Sequence, residues 1–213
     1  MVEQISGSEV RRGIGQRLFA WLHRQEQGGT YDKIVEPYKR ALFADLSGTV
    51  LEIGAGTGEN FPFYPAGLRW IGIEPNAYMH ADLLERARQY GINGELHAGV
   101  AEQMPIETGS IDVVIGTLVM CSVSDQAAVL REILRVLRPS GRYLFIEHIA
   151  GEGGQRSRQK LIKPLWRALA DGCEPDRDTG EAIRQAGFSR VEIQLFRVPI
   201  PIASPHIVGT AIK

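Results

Sequence analysis

The sequence predicts a doubly wound α/β fold in which a seven-stranded, mostly parallel sheet follows N-terminal helices. Two observations favour this fold. From Thr49 onward, short apolar runs alternate with glycine-containing turns and segments of helical periodicity, which is the pattern of a parallel sheet buried on both faces. The composition is that of an ordinary globular protein, with 213 residues of which 44% are hydrophobic. That is enough for one such sheet and a small appendage.

Seven β-like runs and the helices between them define this part of the chain. We place strands at residues 49–53, 69–73, 94–98, 111–117, 141–147, 191–198 and 206–212. Helical periodicity predicts helices at residues 77–90, 125–137, 161–169 and 179–186. We expect Ser124 to cap the second of these helices and the turn Pro139-Ser140-Gly141 to follow it. A polar, glycine-containing stretch at residues 151–159 precedes the third helix.

A basic amphipathic helix is predicted at residues 11–24. Its apolar residues, Ile14, Leu18, Trp21 and Leu22, share one face among several arginines and no acidic residue. We favour packing of this apolar stripe on the chain's own domain. Contact with an anionic membrane surface and closure over a substrate are the alternatives.

A second helix is predicted at residues 31–46, and Pro37 must start or kink it. The chain is therefore expected to consist of an N-terminal helical cap, residues 1–46, and a main domain, residues 47–213. A lid insertion is expected at about residues 151–175.

Charge and cysteine content disfavour several classes of protein. The 24 Lys and Arg residues balance 25 Asp and Glu residues, so no general positive field attracts nucleic acid. Two distant cysteines and a polar N-terminus without a signal-peptide core predict a cytoplasmic protein without a disulfide framework. The longest apolar stretch, residues 111–121, is too short to cross a bilayer. Because the five histidines are scattered and no Cys-x-x-Cys pair is present, we expect no metal site.

The most informative segment runs from Glu52 to Gly58, where a buried strand enters a turn with glycine at three alternate positions. Glycine allows a sharp turn and a close approach of a ligand to the backbone. The third glycine falls one position too early for the dinucleotide fingerprint, and the phosphate loop of nucleoside triphosphatases is absent. Glu52 would repel phosphate but suits a ligand with a cationic amino group.

Two further segments complete a predicted ligand site. Glu74 lies 20 residues after Gly54, at the carboxyl end of the neighbouring strand, where a carboxylate can accept both hydroxyls of a ribose. Ala101 and Glu102 follow the next strand and could frame an adenine together with Met104. An adenosine that carries a positively charged amino acid instead of phosphates is S-adenosylmethionine.

These segments resemble the class I S-adenosylmethionine-dependent methyltransferases across residues 35–213. The resemblance rests on Glu52-Ile-Gly-Ala-Gly-Thr-Gly58, Glu74, Ala101-Glu102 and Leu134-x-x-Val-Leu-Arg-Pro-Ser-Gly141, in the usual order and spacing. A closer similarity is to the subgroup of mammalian membrane-associated alkyl-thiol methyltransferases and their bacterial relatives. That similarity is carried by Asn60-Phe-Pro-Phe-Tyr-Pro65, Thr117-Leu-Val-Met-Cys-Ser-Val123, Glu147-His148, Asp171-Gly172-Cys173 and His206-Ile207. It implies a Rossmann-like fold, S-adenosylmethionine as cofactor and methyl transfer to a small-molecule thiol.

The resemblance also implies the residues of the site. Those assigned to the cofactor are Glu52, Gly54, Ala55, Gly56, Thr57, Gly58, Glu74, Pro75, Asn76, Ala101, Glu102, Thr117 and Leu118. His148 is expected to orient or deprotonate the acceptor, and a histidine merely satisfied by its neighbours is the alternative. The candidates for lining the acceptor pocket are Cys121, Trp166, Asp171, Cys173 and His206. Packing, a buried structural cysteine and an Asp-Gly turn are the plainer explanations of these residues.

The leading hypothesis is thus S-methylation of a small, apolar thiol. A second hypothesis keeps the cofactor but uses a phospholipid amine or a quinone precursor as the N-, O- or C-acceptor, and peripheral membrane contact of residues 11–24 would favour it. The intact cofactor motifs disfavour a binding module without turnover. The glycine spacing disfavours a dinucleotide-dependent oxidoreductase.

Overall fold

The computed structural model describes residues 2–5, 13–26 and 28–213, and its strands form one eight-stranded sheet. The strands are β1 (Val2–Ile5), β2 (Thr49–Ile53), β3 (Arg69–Ile73), β4 (Asn93–His97), β5 (Ile111–Thr117), β6 (Leu137–His148), β7 (Arg190–Arg197) and β8 (Pro205–Ile212). Their order across the sheet is β1-β4-β3-β2-β5-β6-β8-β7. Neighbouring strands are parallel except around β8, which is antiparallel to both β6 and β7.

Helices connect the strands and precede the sheet. They are α1 (Ile14–Glu26), α2 (Thr30–Leu42), α3 (His80–Gln89), α4 (Gln126–Val136), α5 (Gly153–Leu169) and α6 (Thr179–Gln185), with a 3₁₀ turn at Phe61–Phe63. Helix α4 shows how the sequence dictates such an element. Val129, Leu130, Ile133 and Val136 form its buried face at helical spacing.

The sheet is buried on both faces because successive residues of its central strands point to opposite sides. In β2, Leu51 and Ile53 lie in the cluster that also holds the buried faces of α4 and α6. The preceding residue, Val50, faces the other side of the sheet. It packs in a second cluster with Phe43, at the end of α2. The alternation explains why the central strands read as continuous apolar runs.

The edge of the sheet at which β2, β3 and β5 end is where a ligand is expected. The chain runs from β2 to β3 on one side, whereas β5 pairs with β2 on the other side. In an open parallel sheet this reversal leaves a crevice at the carboxyl ends of the two strands. The glycine loop, residues 54–58, enters this crevice directly from β2.

All seven predicted strands are present as β2 to β8, and β1 is an eighth that the sequence pattern did not predict. Its four residues, Val-Glu-Gln-Ile, have too short an apolar pattern to indicate a strand, and pairing with the edge of β4 forms it. Strand β6 begins at Leu137, four residues before its predicted start. It follows α4 directly, because Leu137 already pairs with Ile111 of β5.

Three helix predictions are corrected. The cap of α4 is Asp125 rather than Ser124, since the Asp125 side chain accepts a hydrogen bond from Ala128 N. Helix α5 begins at Gly153, within the polar stretch, because a largely exposed helix needs little apolar periodicity in its first turns. Helix α2 ends at Leu42 rather than residue 46, with Pro37 inside it.

The favoured interpretation of the N-terminal helix is wrong. Ile14 is 90% exposed and Trp21 53% exposed, so the apolar stripe of α1 does not pack on the domain. The face of α1 that contacts the domain carries the buried Ala20 and the polar side chains of Gln16 and His23. Arg11 and Arg12 of the predicted helix lie outside the described residues. Within the described part of the chain, none of the helices combines the length and apolar composition needed to span a bilayer.

Candidate active site

The glycine loop is held tightly against the neighbouring strands. Gly54 has a φ of +61°, a conformation that favours glycine, and its N–H donates to the carbonyl of Ile73 at 2.8 Å. A Cβ atom on Gly54 would lie 2.5 Å from a methyl group of Val119. The loop is therefore in contact with the segment that follows β5, and any larger residue at position 54 would push the two apart.

Glu74 is the carboxylate at the centre of the crevice. It is buried at the end of β3, and its two oxygens accept hydrogen bonds from Gly56 N (2.8 Å) and Asn76 N (2.7 Å). Burial raises the pKa of Glu74 to about 7, although these two N–H donors oppose the shift. Each carboxylate oxygen has a second lone pair, so Glu74 can still accept two hydroxyl groups of a ligand.

Glu52 has partners of its own inside the protein. Its oxygens accept hydrogen bonds from Trp70 Nε1 and Asn60 Nδ2, both at 2.8 Å, and burial raises its pKa. Asn60 Nδ2 also donates to Thr117 Oγ1 at 3.1 Å. The carboxylate thus fixes Asn60 at the crevice, and a direct contact of Glu52 with a ligand stays a prediction.

Asn60 carries an open acceptor at this place. Its Oδ1 atom is buried and, among the described residues, has no hydrogen-bond partner. A buried acceptor without a partner is costly unless a ligand supplies a donor. A cationic amino group is such a donor.

The remaining predicted cofactor residues lie around the same edge of the sheet. Leu118 follows β5 with a φ of +56°, an uncommon and strained conformation for a leucine that is typical of functional sites. Ala101 is buried beyond β4, whereas the carboxylate of Glu102 accepts the N–H of Ser124 at 2.6 Å. Met104 is buried in the main core. The remaining members of the set are Ala55, Thr57, Gly58 and Pro75, in the loops after β2 and β3.

Helix α1 lies across the side of the crevice that is formed by the glycine loop and Glu74, which we call the cofactor side. Asn76 Nδ2 donates to the carbonyl of Gln16 at 3.1 Å, and Gln16 Nε2 donates to Asp171 Oδ1 at 2.8 Å. At the other end of the helix, His23 Nε2 lies 3.1 Å from Glu59 Oε1. Despite burial, the hydrogen bond from His23 lowers the pKa of Glu59 to about 2, so that this carboxylate is ionised at neutral pH. The helix is therefore tied to the glycine loop, to the end of β3 and to the turn after α5.

Four of the predicted acceptor residues meet on the other side of the crevice. His148, at the end of β6, has its Nε2 atom 3.0 Å from Cys173 Sγ. Trp166 Nε1 of α5 donates to the same sulfur at 3.2 Å. Cys121, which follows β5, has its sulfur within 4.8 Å of Cys173 Sγ and a ring nitrogen of His148. Both cysteines are free and buried.

The two cysteines have different acidities. A hydrogen bond from Cys121 lowers the pKa of Cys173, burial opposes this shift and Trp166 adds to it. The same hydrogen bond and burial raise the pKa of Cys121. Burial lowers the pKa of His148, but its interactions with Cys121 and with the carboxylate of Glu147 together outweigh burial, so the pKa of His148 is raised overall. These shifts favour the protonated form of His148 and the ionised form of Cys173.

His206 and Glu147 lie next to His148 in the sheet. His206 of β8 is paired directly with His148 in the sheet, and burial lowers its pKa to about 4, so His206 is neutral. Glu147 is fully buried, and its Oε1 atom accepts the N–H groups of Val119 and Met120. Burial raises the pKa of Glu147 to about 7. Its bonds fix the turn that carries Cys121.

The structure divides the predicted acceptor residues into two groups. Cys121, Trp166, Cys173 and His206 gather around His148, whereas Asp171 bonds to α1 and lies on the cofactor side. Asp171 also has a φ of +46°, as expected of a turn residue.

The sequence analysis assigned no site role to three residues that the structure places here, Gln16, Asn60 and Glu147, although the last two lie in motifs of the subgroup resemblance. Asn60 had a signal, because it closes the glycine motif. The hydrogen bonds of Gln16 and Glu147 join distant parts of the chain, so their partners could not be read from local spacing.

The residues fit an adenosine with a charged amino acid group, as the sequence predicts. A buried carboxylate with free lone pairs, a tight glycine loop and an unpaired amide oxygen surround the crevice. These groups match ribose hydroxyls, close backbone approach and an amino group respectively.

Comparisons with known proteins agree with this fit. A family model described as a methyltransferase domain matches residues 51–145. Thiol S-methyltransferase TMT1A of Homo sapiens is 37% identical over 198 residues, which cover 86% of this chain and 81% of the human protein. Thiol S-methyltransferase TMT1B of Homo sapiens is 37% identical, with 84% and 80% of the two chains covered. The solved structure of YcgJ from Bacillus subtilis has the same fold, with a TM-score of 0.65, 18% identity and coverage of 83% and 98%.

Proposed function

The chain belongs to the S-adenosylmethionine-dependent methyltransferases, in the family of the thiol S-methyltransferases, and on this basis we propose that it methylates the sulfur of a small thiol. One observation carries the proposal. The segment after β5 contacts the glycine loop through Val119 and, two residues later, carries Cys121 into the cluster with His148 and Cys173. A cofactor held by the loop and an acceptor held by the cluster would therefore be neighbours.

The cofactor supplies a methyl group on a sulfonium, whose positive charge disappears during the transfer. Little covalent help is then needed, and the protein's task is to align the two partners and keep water away. Glu74 would accept the ribose hydroxyls, and the Oδ1 atom of Asn60 would accept the amino group. Helix α1, tied down through Gln16 and His23, would close the cofactor side against water.

His148 and the two cysteines are the groups that we assign to the acceptor. A thiol has a pKa near 8.5, so it is only partly ionised at neutral pH, and the thiolate is the nucleophile. The imidazole of His148 is buried with its Nδ1 atom unpartnered within the described part of the chain. It can therefore orient an acceptor sulfur or favour its ionised form.

The test is to incubate the protein with S-adenosylmethionine and a panel of alkyl thiols, a phosphatidylethanolamine and a quinol, and to follow methylated products by mass spectrometry. A thioether that forms with wild-type protein and is reduced in His148→Ala supports the proposal. Methylated amine or quinol without any thioether would refute it in favour of the second class of acceptor.

Exposed apolar surface favours an acceptor that partitions into lipid. On α5, Leu161 is 84% exposed and Leu165 60% exposed, and this helix contains five Lys or Arg residues and no acidic residue. Helix α1, with exposed Ile14 and Trp21, contacts α5. We propose that this surface, α1 with α5, binds an anionic membrane peripherally and that the two helices act as cap and lid of the pocket.

Co-sedimentation with vesicles containing phosphatidylserine tests the membrane contact. The double variant Trp21→Ser with Leu161→Ser should reduce the bound fraction strongly, and raised salt should also reduce it. A matched variant, Leu195→Ser, changes an exposed leucine of β7 and should leave binding unchanged. Failure of wild-type protein to bind at low salt would refute the contact.

A further inference from the structure

The buried cluster after β5, β6 and α5 has the composition of a metal site. Cys121, His148 and Cys173 each offer one donor atom, and the three atoms lie within 4.8 Å of one another. The donors are two sulfurs and an imidazole nitrogen. These are the ligands that Zn²⁺ prefers in proteins.

The distances allow an ion with small adjustments. Zn–S bonds of about 2.3 Å and Zn–N bonds of about 2.0 Å place the ligand atoms of a tetrahedral site roughly 3.5–3.8 Å apart. The pair His148 Nε2 and Cys173 Sγ is 3.0 Å apart, and the three donor atoms are at most 4.8 Å apart. Movements of about an ångström at the side-chain ends would therefore form the site.

We propose that Cys121, His148 and Cys173 bind one Zn²⁺ ion and that its fourth position takes the sulfur of the acceptor thiol. The assignment of the acceptor thiol as fourth ligand rests on the proposed function. The assignment of the three protein ligands does not. Three protein ligands with one position left for substrate are typical of a catalytic zinc rather than a structural one. The proposal departs from the expectation of no metal site, which rested on local sequence spacing.

The surroundings support this assignment. Trp166 Nε1 donates to Cys173 Sγ at 3.2 Å, the type of hydrogen bond that orients and stabilises a metal-bound thiolate. The backbone turn that carries Cys121 is fixed by the two N–H bonds to Glu147. Two of the three ligands are thereby held in place before any ion arrives.

The site would generate the nucleophile without an additional oxidant or reductant. The acceptor R–SH would bind the ion as R–S⁻, and its proton would pass to water. A lone pair of that sulfur forms the new S–CH₃ bond, while the bond between the methyl carbon and the sulfonium breaks and its electron pair stays on the departing sulfur. The neutral thioether is a poor zinc ligand and can leave.

Cobalt substitution tests the site directly. Metal-free full-length protein, prepared with a chelator under reducing conditions, is titrated with Co²⁺ and followed by absorption spectroscopy. We expect one Co²⁺ per chain, with a thiolate-to-cobalt charge-transfer band and the visible bands of a tetrahedral ion. The chain contains only two cysteines, so a two-thiolate spectrum can come only from Cys121 and Cys173.

Variants assign the ligands. Cys121→Ser, Cys173→Ser and His148→Ala should each weaken binding by more than the roughly 10- to 100-fold that loss of an outer hydrogen bond costs. Trp166→Phe should weaken binding by no more than that range. His97→Gln changes a histidine of β4 and should bind like wild type. Circular dichroism and S-adenosylmethionine affinity show that each variant is folded.

The outcomes separate this proposal from the proposed function. A shift of the charge-transfer band when an alkyl thiol is added supports the open fourth position. Absence of a stoichiometric thiolate band, or a band that survives both cysteine variants, overturns the metal site, and thiol methylation by chelator-treated protein would then leave the function intact. A metal site that forms while no thiol is methylated would instead overturn the proposed function and the fourth ligand with it.

Discussion

The affinity for S-adenosylmethionine should depend on pH through Glu74. Only the ionised carboxylate can accept both ribose hydroxyls while it accepts Gly56 N and Asn76 N. Because burial raises the pKa of Glu74 to about 7, protonation removes this acceptor as the pH falls through neutrality. Affinity should therefore fall on the acid side of pH 7.

The size of the effect follows from the ionised fraction. With a pKa of about 7, roughly one carboxyl group in ten is ionised at about pH 6 and half are ionised at about pH 7. The dissociation constant should thus be about fivefold larger at the lower pH, equivalent to about 1 kcal/mol. The amino group of the ligand stays mostly protonated over this range and contributes little.

Isothermal titration calorimetry at both pH values measures the effect. Glu74→Gln should bind roughly 10- to 150-fold more weakly near neutral pH, the range expected for loss of hydrogen bonds to a charged group, and should lose the pH dependence. Glu95→Gln, on the neighbouring strand β4, should behave like wild type. A fivefold change that persists in Glu74→Gln would assign the titration to another group and refute the reasoning.

Three further substitutions probe the crevice. Gly54→Ala should lower the melting temperature and the cofactor affinity more than Gly67→Ala. Both glycines have a positive φ, but only a side chain at position 54 would meet a valine. Equal losses in the two variants would contradict the close contact. Asn60→Asp should destabilise the protein by about 1–3 kcal/mol in urea unfolding, since it places a second carboxylate against a buried one, and wild-type stability would rule out the contact. Gln16→Ala should raise the KM for the cofactor and the rate of limited proteolysis within α1, whereas the exposed Gln25→Ala should not; identical behaviour of the two variants would show that the helix is not tied down at this point.

Most strands and helices could be predicted from local sequence patterns. The strands β2 to β6 were recognisable because buried parallel strands are apolar runs between turns. The antiparallel strands β7 and β8 were recognised from β-like runs near residues 191–198 and 206–212. The four-residue strand β1 was not, because it is too short to show a period and depends on its partner. The start of α5 was also missed, since residues 153–160 are mostly exposed and do not need an apolar face.

The two halves of the site differed in predictability for a physical reason. The cofactor side is built from contiguous motifs, so the glycine loop and Glu74 could be placed from their spacing. The cluster of Cys121, His148 and Cys173 forms only when three elements of the fold converge, and no local spacing encodes it. The partners of Glu52 could not be predicted either. Its negative charge suggested a contact with the ligand, but in the structure its carboxylate accepts hydrogen bonds from Trp70 and Asn60.

The position of β8 has a consequence for how the protein is made. In the described sheet, β7 is an edge strand and pairs with β8, which lies between β7 and β6. During synthesis β7 leaves the ribosome first and must wait for β8 before it can join the sheet. His206 belongs to this late strand and pairs with His148. The nascent chain can therefore form the crevice around the glycine loop before His206 comes to lie beside His148.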